Sequence, residues 1–214
     1  MIHFSKTFGL ALGVMLAIAA TAAPIALAQE GEFTANQYPA TVTGEQMGTD
    51  VITTTAGSWS CPHTTYHGEV NEPTSSLTVV PSYTGCQAFG FFKFTIDLNG
   101  CDLIFKIDET EASDKYFGTT DIACPVNAEI VVTSAACVLR FPAQTGLGTM
   151  TYTNTTDSED VEINISISSE LKYTVDHGCA TAAAGSYADG SYAGTATVTA
   201  DDEEGNPTGV SISD

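Results

Sequence analysis

The chain has 214 residues, with 26 acidic side chains against six basic ones and a formal net charge of −20. Such a surface repels nucleic acid and anionic membranes, and no basic patch interleaved with aromatic residues occurs, so nucleic-acid binding is excluded. Cation binding, adaptation to a salty medium and plain solubility are the readings of the charge that remain.

The chain opens as an export signal. Lys6, with His3, gives a short positive start, Phe8 to Ala23 is almost wholly apolar, and Ala26-Leu27-Ala28 is a small-x-small cleavage site. Removal of residues 1–28 leaves 29–214 as one continuous secreted domain with a formal charge of about −21. No second apolar run of spanning length follows, so no membrane association is expected once the signal is gone.

Beyond the signal, apolar residues alternate with polar ones, and Thr, Val, Ile, Tyr and Phe dominate between Gly, Pro, Asn and Asp. The expected fold class is all-β: an antiparallel β-sandwich or barrel with disulfides. Early strands are expected at 39–44, 50–56, 65–70 and 76–83. Trp59, the single tryptophan, stands beside Cys61 and reads as core.

Asn99-Gly100 separates two alternating runs as a type I′ turn requires, which predicts a hairpin over 92–107. In that register Phe92, Phe94, Ile96 and Leu98 face Ile107, Phe105, Leu103 and Cys101, while Lys93 meets Lys106 and Asp97 meets Asp102. The acidic stretch 108–114 reads as a solvated connection. Strands are then expected at 115–122, 129–133, 136–141 and 148–154.

Residues 161–168 form the clearest strand, with Val161, Ile163, Ile165 and Ile167 on one face and polar groups on the other. A strand at 170–176 follows. Asp189-Gly190 predicts a second hairpin that sets Tyr187 against Tyr192, leading into strands at 192–200 and 208–213, with an acidic turn at 201–207 between the last two. The pattern Tyr-x-Gly at Tyr66, Tyr192 and Tyr116 reads as turn chemistry.

Six cysteines in an exported chain predict three disulfides. If the strand after the first hairpin pairs so that Leu103 meets Ile122, Cys101 meets Cys124; the preferred scheme is then Cys101–Cys124, Cys86–Cys137 and Cys61–Cys179. In the stretch CPHTTYH, His63 and His67 share a strand face but lie about 13 Å apart, too far to chelate one ion. A Cys61–Cys179 bridge between adjacent antiparallel strands would set His63 opposite His177, a weak candidate pair for Zn²⁺ or Cu²⁺.

The stretches SSLTVVPSYTGCQAFGF, LNGC, DIACP and LGTMTYTNTT resemble a group of secreted β-proteins of actinomycete-type bacteria. The resemblance implies export, β-structure and paired cysteines, and brings no activity with it.

Gly-x-Ser-x-Gly, His-Glu-x-x-His and phosphate-binding glycine loops are absent, and disulfide use removes the cysteines as nucleophiles. No catalytic residue and no cofactor are nominated. The expected function is a non-catalytic extracellular binding or structural module for a polymer or protein ligand. The alternatives are a secreted polysaccharide hydrolase and an exported metal-binding protein.

Overall fold

Val161, Ile163, Ile165 and Ile167 are all buried, and Glu162, Asn164, Ser166 and Ser168 between them are all exposed, as a strand with one wet face demands. That strand continues for 17 residues, to His177. The computed structural model describes residues 31–213 apart from 89, 113–114, 136, 156–158, 178 and 180, so the expected signal at 1–28 lies outside the described residues.

Within them the chain is all-β, with no helix. Its strands, in chain order, are β1 (Glu32–Ala35), β2 (Ala40–Gln46), β3 (Asp50–Thr54), β4 (Gly57–Cys61), β5 (His63–Val70) and β6 (Ser76–Thr84). Then come β7 (Gln87–Ala88), β8 (Phe92–Asp97), β9 (Asp102–Lys106), β10 (Glu109–Ala112), β11 (Lys115–Ala123) and β12 (Ile130–Ser134). The last are β13 (Cys137–Phe141), β14 (Gln144–Asn154), β15 (Val161–His177), β16 (Gly185–Asp201) and β17 (Val210–Ser213).

The antiparallel pairings close on themselves twice. One circuit runs β2, β5, β6, β9, β11, β14, the first half of β15, the second half of β16 and back to β2. The other runs from the second half of β15 through β13, β12, β8, β7, β4 and β3 to the first half of β16. The β15–β16 ribbon therefore belongs to both rings, and ring closure leaves these strands no open edge. Two extra residues bulge from β15 between Ile167 and Leu171, opposite Tyr192 and Gly190, and Ser169 there takes φ 54. That bulge marks the crossing from one ring to the other.

A separate β1–β17 ribbon packs onto the first ring. The Phe33 ring meets Tyr152 edge-on at 5.5 Å, and the Asn154 amide exchanges two hydrogen bonds with the Ile212 backbone. Buried side chains from both rings form one contiguous core, Trp59 among them.

Both predicted hairpins give way to longer-range pairing. The Asn99-Gly100 turn is present, with φ 51 and 80 and the Cys101 N–H donating to the Leu98 carbonyl at 2.8 Å. The strands it joins then part: both edges of β8 are taken by β7 and β12, and both edges of β9 by β6 and β11. Beyond the Leu98–Cys101 contact that closes the turn, the expected pairs Ile96–Leu103, Phe94–Phe105 and Phe92–Ile107, and with them Lys93–Lys106 and Asp97–Asp102, do not form. Asp189-Gly190 makes no turn either, because β16 runs straight through it. Tyr187 pairs with Tyr173 and stacks on it at 5.3 Å, while Asp189 accepts hydrogen bonds from the Tyr173 and Thr55 hydroxyls. Residues 109–112, expected to be a solvated connection, form β10 on β11.

The disulfides are Cys61–Cys86, Cys101–Cys124 and Cys137–Cys179. Cys101–Cys124 has its expected partners, in a ladder that pairs Leu103 with Ile122. The expected Cys61–Cys179 and Cys86–Cys137 bridges are replaced, and the registers say why. In the β5–β6 hairpin His63 pairs with Thr84, so the cysteines two residues beyond on each side meet; β13 pairs Val138 with His177, which brings Cys137 to Cys179.

Candidate functional site

The metal pair read from the sequence is not assembled. His63 is exposed on β5 and pairs with Thr84, whereas His177 pairs with Val138 in the other ring. The expected juxtaposition rested on a Cys61–Cys179 bridge, and it goes with that bridge. Among the described residues no group of three or more His, Cys, Asp or Glu side chains gathers as metal ligands would.

An apolar cavity of about 70 Å³ lies where the two rings meet. Ile165, Ile167 and Leu171 from β15, Phe105 from β9, Val132 from β12 and Tyr192 from β16 contribute to its wall. It holds far less than the roughly 300–1,000 Å³ of a typical ligand pocket, and about half the space of a cavity that accepts benzene. The interior is a packed core, and any partner of ordinary size must be met outside it.

Beside this cavity the fold buries a carboxylate. Asp50 opens β3 and is only 2% exposed. The Tyr192 hydroxyl donates to its Oδ2 at 2.9 Å, Tyr66 approaches the same oxygen at 3.3 Å, and the two tyrosine hydroxyls lie 2.9 Å apart. Two protons cannot serve three contacts, so the distances favour a relay: Tyr66 donates to Tyr192, and Tyr192 to Asp50. Alternation along β5 and β16 points both tyrosines inward from neighbouring parts of the first ring.

Burial pushes the Asp50 carboxyl above its ordinary range, and the Thr64, Tyr192 and Tyr66 hydroxyls pull it partway back. The same burial, with the Asp50 charge adding to it, drives the Tyr66, Tyr83 and Tyr192 hydroxyls upward, so all three stay protonated donors. The folded state thus holds the Asp50 proton more tightly than the unfolded chain. Ionising it costs the fold nothing below the unfolded value of 3.8 and the full amount above the raised folded one. In buffers whose only added cation is choline, the wild type is expected to lose stability relative to Asp50→Asn as pH rises from about 4 to 7. Paired thermal melts across that range check it; a constant gap between the two proteins contradicts it.

Sequence reading missed this cluster, although a signal was present. Two of the three Tyr-x-Gly copies, Tyr66-x-Gly68 and Tyr192-x-Gly194, send their tyrosines to Asp50. They lie in strands, not turns. Gly194 abuts the carboxylate: a Cβ there would fall 2.4 Å from Asp50 Oδ1.

Two ion pairs among the described residues belong to the frame. Asp121, also buried, takes Lys106 at 2.6 Å and the Gly146 N–H at 2.7 Å, and Arg140 pairs with Asp176. On the outside, Phe91 and Phe92 at the β7–β8 loop are 67% and 53% exposed, with ring centroids 4.2 Å apart. Gly90, at φ 79, allows this short loop, in which the Phe91 N–H donates to the Ala88 carbonyl. No family model, no curated protein and no solved structure matches this chain.

Proposed function

We propose that the protein is a non-catalytic extracellular binding module that meets a partner protein with its outer surface. The Phe91–Phe92 tip carries this reading. Two adjacent phenylalanines turned to solvent forfeit burial energy that an intramolecular fold would recover, and aromatic side chains of this kind anchor protein interfaces. Three disulfides suit an oxidising compartment and brace the frame that presents the tip. With a chain charge of −20, a partner whose apolar pocket is rimmed by basic groups fits best.

The test is binding of labelled protein to intact cells of the kind that export it. Saturable binding is expected, lost when the cells are treated with protease and weakened by salt. The double variant Phe91→Ser/Phe92→Ser should keep its melting temperature and bind at least about tenfold more weakly. Equal binding by that variant, or binding that survives protease and follows purified wall polysaccharide, overturns the reading.

A further inference from the structure

Three buried oxygens around β3 have no hydrogen-bond partner among the described residues: Asp50 Oδ1, Thr64 Oγ1 and Gln46 Oε1. They are neighbours in the fold. The Thr64 hydroxyl lies beside the Asp50 carboxylate and favours its charged form as a donor would, but without the alignment of a full hydrogen bond. The β2–β5 ladder pairs Glu45 with Thr65, so its next step sets Gln46 across from Thr64. The Gln46 amide nitrogen is tied to the Cys61 carbonyl at 2.8 Å, and Cys61 is the cross-strand partner of Asp50. With its nitrogen engaged there, Gln46 turns only an acceptor to the remaining space.

A carboxylate oxygen and an amide oxygen can only accept. The Thr64 hydroxyl brings one proton to the three oxygens, so burying them together leaves an acceptor without a donor, among the costlier arrangements a core can hold. Neither of the two ion pairs among the described residues involves Asp50. Its hydrogen-bonded oxygen, Oδ2, is turned to Tyr192 and Tyr66, while Oδ1 faces the bare Cα of Gly194, where any side chain would intrude.

We propose that Asp50, Thr64 and Gln46 form a buried site for a monovalent alkali cation, which sits against Asp50 Oδ1. The donor set consists only of oxygen, the chemistry of a hard cation rather than of zinc or copper. It holds one carboxylate, which a single positive charge neutralises; a calcium ion draws on more ligands and usually on several carboxylates. The acidic chain raises the cation concentration around it. The site lies in the frame and is independent of the Phe91–Phe92 surface.

The experiment is a set of thermal melts at neutral pH in sodium, potassium or choline chloride, at equal ionic strength and equal chloride. Sodium or potassium is expected to raise the melting temperature by roughly 3–6 °C over choline, with saturation. Asp50→Asn should lose that increment. Thr64→Val, which keeps the charge and removes one oxygen of similar shape, should need several-fold more cation to reach half the shift, and it keeps the test decisive if Asp50→Asn fails to fold. Equal melting temperatures in all three salts overturn the site in favour of a proton or a trapped water. An undiminished increment in Asp50→Asn overturns it as a general salt effect.

Discussion

Full reduction of the three disulfides is expected to unfold the protein, or to bring it close to unfolding, at room temperature. The bridges span 25, 23 and 42 residues. By loop-closure entropy each is worth roughly 3–4 kcal/mol, so together they rival the whole net stability of an ordinary domain, about 5–15 kcal/mol. Their positions sharpen the expectation. Cys61–Cys86 holds the point where β4 of one ring runs into β5 of the other, and Cys101–Cys124 holds the start of β9 to the segment just after β11. Circular dichroism before and after reduction, with intact mass confirming a gain of six hydrogens, checks this. A fully reduced protein that melts at the oxidised temperature contradicts it. Removing Cys101 and Cys124 alone should lower the melting temperature by roughly 10 °C.

Gly118→Ala is expected to be the most damaging single methyl group added to this fold. A Cβ at Gly118 would lie 1.7 Å from the Lys106 carbonyl oxygen, 2.7 Å from its carbon and 3.1 Å from the Ile107 Cα. All three obstacles are backbone, so no side chain can swing aside. The first ring closes here: β11 joins β9 through Thr120–Phe105 and β14 through Gly118–Met150, and the Lys106 carbonyl also accepts the buried Tyr152 hydroxyl at 2.9 Å. Relief of the clash must open that seam. A loss of about 3 kcal/mol or more is expected, a fall of roughly 6–12 °C in melting temperature. By contrast, Gly146→Ala meets no atom within 4 Å and is opposed only by its positive φ of 65. Thermal melts of the two variants side by side test the point; equal effects would mean that the seam yields.

Much of the secondary structure was legible because alternation is a local signal. The strands at 65–70, 76–83, 115–122 and 161–168 all lie within observed strands, and the Val161–Ile167 face is buried as read. The Asn99-Gly100 turn was legible too, since two consecutive residues at positive φ leave few choices of amino acid. The site was not. Asp50, Tyr66 and Tyr192 lie up to 142 residues apart, and only the junction of the two rings brings them together, with β3 from the second ring, β5 from the first and β16 shared by both.

The sequence by itself determined the all-β class, the acidic composition and the alternating core faces. Each follows from side-chain chemistry or from neighbours a few residues apart. The tertiary structure alone decided which edges pair. A strand has two edges, and β8, β9 and β16 each gain more by filling both with distant partners than by folding back locally. That competition undid both hairpins, moved two of the three bridges, separated His63 from His177, and buried Asp50 among tyrosines.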